Sequence, residues 1–105
     1  MVQEMNDPNR HWPFLDPPNT AVITNVRILD GEDWIHFVTH DEEDGAWQFL
    51  PSRGQATMKE AAVVGLKRMV DIEPRLNELA DLPLGWHAWR GSKSEPWTRA
   101  PKNAG

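Results

Sequence analysis

The sequence contains no cysteine and no tyrosine. Without thiols there is no disulfide framework, no thiolate metal centre, no cysteine nucleophile and no redox dithiol. Long apolar runs are missing too. No stretch approaches the ~18–20 apolar residues of a membrane span, and Met1 to Arg10 has no apolar signal core, so a cytoplasmic protein with no membrane partner is expected. Positive charge is scarce: the formal net charge is -5, which disfavours non-specific attraction to phosphate. Lys67-Arg68 is an isolated pair, and Arg90, Lys93, Arg99 and Lys102 are spread along the C-terminal segment, so no nucleic-acid partner is expected. The seven glycines are scattered and form neither a phosphate-cradling loop nor a dinucleotide fingerprint. Ser52, Ser92 and Ser94 lack a nucleophile-elbow context, and no cofactor is implied.

What remains is an ordinary globular composition with one excess. The 105 residues are 39% hydrophobic and 26% charged, enough for one core and one domain. Six tryptophans stand out. Residues 1–19 read as a proline-rich arm, with Pro8, Pro13, Pro17 and Pro18 disfavouring regular structure. Trp12, Phe14 and Leu15 give the arm apolar side chains to lay on the domain. Residues 20–100 form the expected single domain, and 101–105 a frayed tail.

From Thr20 to Leu29 the alternation of Val22, Thr24, Val26 and Ile28 with Ile23, Asn25, Arg27 and Leu29 is strand chemistry. Asp30-Gly31-Glu32-Asp33 supplies a turn, Trp34 to His40 a second strand, Asp41 to Gly45 an acidic turn, and Ala46 to Leu50 a third strand. The expectation is an antiparallel meander. Thr57 and Glu60 have capping-box spacing for a helix to Ile72, whereas the apolar run Ala61–Gly65 suits a short strand followed by a helix from about Leu66. Strand then helix is the preferred reading. Glu73-Pro74 restarts helical structure with Leu76, Leu79 and Ala80 as its apolar stripe, ended by Pro83 and Gly85. Trp86 to Arg90 reads as a strand, with Trp86, Ala88 and Arg90 on one side and His87 and Trp89 on the other; Pro96 to Arg99 adds an edge strand. The fold class is α+β: a small antiparallel sheet, from the N-terminal meander and C-terminal strands, packed with one or two short helices.

Several side chains are candidates for chemistry. His36 and His40 share one face of a strand, but four residues at ~3.3 Å rise hold them about 13 Å apart, too far for one ion. His40 with Asp41 and Asp44 is the better metal candidate, and Glu42 and Glu43 add oxygens, although the run lacks the alternating ligands of a calcium loop. The competing reading is a hydrogen-bonded turn. Adjacent acids on one exposed turn share an environment, which disfavours a catalytic carboxylate pair. Trp34, Trp47 and Trp86 are assigned to the core. Trp89 must face away from Trp86. It is either exposed, forming a binding patch with Arg90, Arg99 and Trp97, or covered by Trp12 and Phe14.

Two segments, His40-Asp41-Glu42-Glu43-Asp44-Gly45-Ala46-Trp47-Gln48-Phe49 and Glu78-Leu79-Ala80-Asp81-Leu82-Pro83-Leu84-Gly85-Trp86-His87-Ala88-Trp89-Arg90, together resemble a family of small bacterial proteins of uncharacterised activity. More distantly, they resemble the small domains of bacterial polymorphic-toxin immunity proteins. The likeness spans most of Asn19 to Trp97 and includes the Pro17-Pro18-Asn19-Thr20-Ala21-Val22 segment. It implies an apolar strand followed by a helix at residues 61–80, and no catalytic residues. The resulting expectation is a non-enzymatic module that binds a protein partner, with Asp41, Glu42, Glu43, Asp44, Trp89, Arg90 and Trp97 as contact candidates. The alternatives are a small metal-assisted enzyme built on His40, Asp41 and Asp44, and a protein that self-associates into a homo-oligomer.

Overall fold

The computed structural model describes residues 12–52 and 58–102. The proposed Thr57 cap, most of the proline-rich arm and the last three residues lie outside that range. Six strands form one mixed, mostly antiparallel sheet: β1 (Ala21–Asn25), β2 (Ile35–His40), β3 (Trp47–Pro51), β4 (Ala61–Gly65), β5 (Trp86–Trp89) and β6 (Thr98–Pro101). Their order is β4-β1-β3-β2-β5-β6. The helical elements are short: α1 (Val26–Leu29), α2 (Leu66–Ile72), and 3-10 segments at Met58–Glu60 and Pro74–Leu79.

The α+β class and the strand-then-helix reading of residues 61–72 agree with this architecture, whereas the three-strand meander does not. Strand β1 stops at Asn25 because the Asn25 side chain accepts the Arg27 backbone N–H at 2.9 Å, the N-cap geometry that diverts a chain from a strand ladder into a helical turn. The expected second half of that strand is therefore α1. Having left the sheet, the chain does not return beside β1. It re-enters two positions away as β2, and β3 folds back into the gap, pairing parallel to β1 through Ile23 and Gln48. Of the three strands expected in the meander, only β2 and β3 pair as a hairpin, from Ile35↔Pro51 to His40↔Trp47. The last strand also starts later than expected, at Thr98, and includes Pro101. Beyond it, the Lys102 backbone N–H donates to the Gly85 carbonyl, so the expected frayed tail begins no earlier than residue 103.

Alternation along the strands divides the sheet into two faces. Val22, Val38, Trp47, Phe49 and Ala88 point to one side, where Ile28 of α1, Leu66, Met69 and Val70 of α2, and Leu76 and Leu79 of the second 3-10 segment bury against them. Proline at the start of that segment and the Glu73 side chain, which accepts the Arg75 backbone N–H, restart helical winding as the sequence implies. Phe14 joins the same core by setting its ring edge-on to Trp47 at 5.5 Å. Leu15 does not: it is fully solvent-exposed. The chain bends at Leu15 and Asp16, so Phe14 turns inward while Leu15 points to solvent.

Candidate functional site

The predicted contact residues fall into three separate environments. Asp41 opens the β2–β3 turn, where its carbonyl accepts the Gly45 N–H at 2.9 Å and its N–H donates to Ala46 at 2.8 Å. Its carboxylate takes a hydrogen bond from Gln48 and an ion pair from Lys102, each at 2.8 Å. Burial pushes the Asp41 carboxyl upward, but donation from Lys102 and Gln48 together with the Lys102 charge outweighs it, and the net effect holds it below the ordinary carboxylate value. Asp44 accepts the Ala46 N–H at 3.0 Å, the Asx arrangement of a turn former. Glu42 and Glu43 are exposed.

His40 turns away from these acids. Its Nδ1 lies 2.8 Å from the Leu82 carbonyl, and since a carbonyl can only accept, Nδ1 carries the proton. The imidazole stacks on Trp47, with centroids 3.9 Å apart and planes 13° from parallel. His40, Asp41 and Asp44 are therefore committed in three directions. Among the described residues, no group of three His, Asp or Glu side chains is placed to hold a metal ion, which removes the geometric basis of the metal-assisted reading.

Arg90 is the largest departure from expectation. Its alternation with Trp86 and Ala88 is as read, but that side of β5 is the interior, and the guanidinium is fully buried. Nε donates to Ile35 at 3.0 Å, one terminal nitrogen to Lys93 at 3.1 Å, and the other to the Glu73 carboxylate at 3.0 Å. Trp97 covers the cation at 4.2 Å and Trp34 approaches it at 5.6 Å. Arg90 and Trp97 thus form an internal clamp holding the 91–97 loop, not a surface patch. Arg99 is likewise occupied, donating to the Asp81 carboxylate at 2.9 Å. That donation, followed by the Arg99 charge, lowers the Asp81 pKa. Trp34 and Trp86 are half-buried at the edges of the core, and only Trp47 of the predicted core trio is fully enclosed.

Trp89 lies on the other face of the sheet, away from Trp12 and Phe14, so those two side chains do not cover it. On that face the register aligns two cross-strand rows. One runs Val63, Ile23, Gln48, Thr39, His87, Ala100; the other runs Leu50, Phe37, Trp89, Thr98. His87 sets its ring edge-on to both Phe37 and Trp89 at 5.2 Å. Neither row contains an Asp, Glu, Lys or Arg. Every buried helical residue packs on the opposite face, and Val63 is 69% exposed.

A concave site sits at the end of the sheet where β2 stops and β3 starts. Its lining combines His40 and Trp47 with Leu15, Asp16, Asp81, Leu82 and Leu84, around a cavity of about 420 Å³. The Trp47 indole N–H donates to Asp16 Oδ2 at 2.8 Å, and the Trp12 indole N–H donates to the Asp16 carbonyl at 2.7 Å. Sequence reading passed over Asp16. The available signal was chemical: a buried indole needs an acceptor, and Asp16 is the acid that follows directly on Trp12, Phe14 and Leu15.

No family model matches the sequence, and neither a curated protein nor a solved structure is similar to it.

Proposed function

We propose that this chain is a non-enzymatic protein-binding module whose contact surface is the face of the sheet that carries Trp89. One observation supports this reading: the two cross-strand rows of that face hold no ionic side chain, in a chain of which 26% is charged. Antiparallel sheets with one solvated face ordinarily alternate apolar-in with polar-out. Here Val63 and Ile23, both exposed, and the half-buried Leu50, Phe37 and Trp89 take outward positions among uncharged polar residues, and apolar side chains gathered on an open face are the usual mark of a protein contact. The aromatic centre of the face has hot-spot composition. The acidic turn at Glu42 and Glu43 adds long-range attraction for a basic partner, the behaviour expected of an immunity-like or regulatory module that neutralises another protein.

Parallel affinity capture from native lysate, with the wild-type chain and with an Ile23→Lys/Val63→Lys double variant, tests the reading. Both positions are exposed, so circular dichroism of the variant should match wild type. The expected result is a protein retained by wild type in stoichiometric amount and lost with the variant. Sedimentation of each chain alone identifies the case in which that partner is a second copy. Identical retention by the two chains would overturn the assignment of this face.

A further inference from the structure

We infer that the cavity between His40, Trp47 and the 80–84 loop is a binding site for a small organic cation, a primary ammonium carried on an aryl or alkyl body. The site is separate from the proposed protein-binding face, because Trp47 and His40 point to the core side of the sheet and Trp89 to the other. At about 420 Å³ the cavity lies within the range of small-molecule sites. Leu15 and Leu84 are exposed beside it and offer apolar surface to the body of a ligand.

The polar chemistry of the lining is one-sided. Asp16 contributes a carboxylate with only one oxygen engaged, and that by a neutral indole N–H; the other oxygen has no partner among the described residues. With Nδ1 donating to Leu82, Nε2 is the ring atom of His40 left to accept a hydrogen bond. The Trp47 N–H, the sole side-chain donor of the lining besides His40 Nδ1 among the described residues, is already spent on Asp16. Among the described residues no lysine or arginine lines the cavity, and Asp81 has Arg99 outside it. An anion entering this site would face Asp16 with no free side-chain donor among the described residues to receive it. An ammonium would complete the open valences of Asp16 and His40 with charge-assisted hydrogen bonds, and its apolar body would replace water against leucine.

The test uses 2-phenylethylamine, its neutral isostere 2-phenylethanol and the acid 3-phenylpropionate, titrated into the full chain while the Trp47 indole N–H resonance is followed by NMR. The amine is expected to shift that resonance saturably and to bind at least about tenfold more tightly than the alcohol, roughly 1.4 kcal/mol of preference; the acid should not bind. Asp16→Asn keeps an acceptor for Trp47 and should abolish the amine-over-alcohol preference, whereas Asp81→Asn should leave it intact. Nα-acetyl-lysine methylamide, run in parallel, decides the source of the cation: tighter binding than phenylethylamine assigns the site to a lysine side chain, weaker binding to a free amine. Equal affinity for amine and alcohol, no saturable shift with the amine, or a preference that survives Asp16→Asn would each overturn the proposal.

Discussion

Replacing Arg90 by alanine should cost this protein most of its stability, and the structure says why. The guanidinium donates three hydrogen bonds in the interior, to the Ile35 and Lys93 carbonyls and to Glu73, and lies against Trp97. Truncation leaves the Glu73 carboxylate buried with the Arg75 backbone N–H as its remaining donor. Breaking one member of a buried ion pair costs about 3–5 kcal/mol, and loss of the desolvated cation–π contact adds about 1 kcal/mol. Small domains have only about 5–15 kcal/mol in total. With a urea slope of about 1.5–2 kcal/mol per molar, the unfolding midpoint followed by tryptophan fluorescence should fall by about 2 M or more. The mechanism makes a second demand. In Arg90→Met/Glu73→Gln the buried charge is gone, while glutamine still accepts from Arg75. That pair should therefore recover about 2 kcal/mol relative to the sum of the single variants. If Arg90→Ala cost less than about 1 kcal/mol, the value of an exposed pair, the clamp would not be holding the C-terminal loop and the reasoning would be wrong.

Three further outcomes follow from local geometry. Asp41 has its folded pKa below the ordinary 3.8, so its pairing stabilises the fold above that value and is lost as pH falls through the depressed one; Lys102→Met should flatten the loss of stability below pH 3.8, measured by urea titration. An equally steep loss in the variant would assign the acid sensitivity elsewhere. Gly85 has φ +81, and a Cβ there would sit 3.1 Å from Glu42 Oε1, so Gly85→Ala should cost about 1–2 kcal/mol by thermal melting. Adding Glu42→Ala relieves the contact but not the dihedral, so most of that cost should remain. Asp16→Ala strips the acceptor from the Trp47 indole and should cost about 1–3 kcal/mol, with Asp16→Asn restoring most of it.

Much of the secondary structure was legible because its causes are local. The β2–β3 turn is written in Asp41, Asp44 and Gly45, whose side chain and backbone bonds close it without help from the rest of the chain. The Pro74 restart and the opposed faces of Trp86 and Trp89 are equally local. Ala61–Gly65 was ambiguous between strand and helix for the ordinary reason that a five-residue apolar run has no period, and pairing with β1 from Ala21↔Gly65 to Asn25↔Ala61 decides it. Strand order was not legible. Nothing near Asp30–Asp33 specifies whether β2 lands beside β1 or leaves room for β3, because that choice depends on Trp47 and Phe49 finding the centre of a core assembled from distant segments. Arg90 misled for a different reason. A charge on an apolar strand face reads as surface until its partner is known, and Glu73 lies on another element.

The same alternation that makes the core also makes the proposed contact surface. Val38 and Ala88 are fully buried opposite each other, which forces their chain neighbours Phe37 and Trp89 to emerge together on the far side. A sheet with helices on one face needs only that face to be apolar, and polar residues at the outward positions would leave the core unchanged. Cross-strand pairing, which favours β-branched and aromatic residues, contributes to Val63, Ile23, Leu50, Phe37 and Trp89 standing there, but burial in the core therefore cannot account for them. Nor can general hydrophobicity, since the chain's mean hydropathy is -0.63 and its exposed turn carries Glu42 and Glu43. In the proposed reading the apolar residues of the far face serve what that face meets, and charge placed at Ile23 and Val63 tests it, because it leaves the interior intact and alters only the encounter.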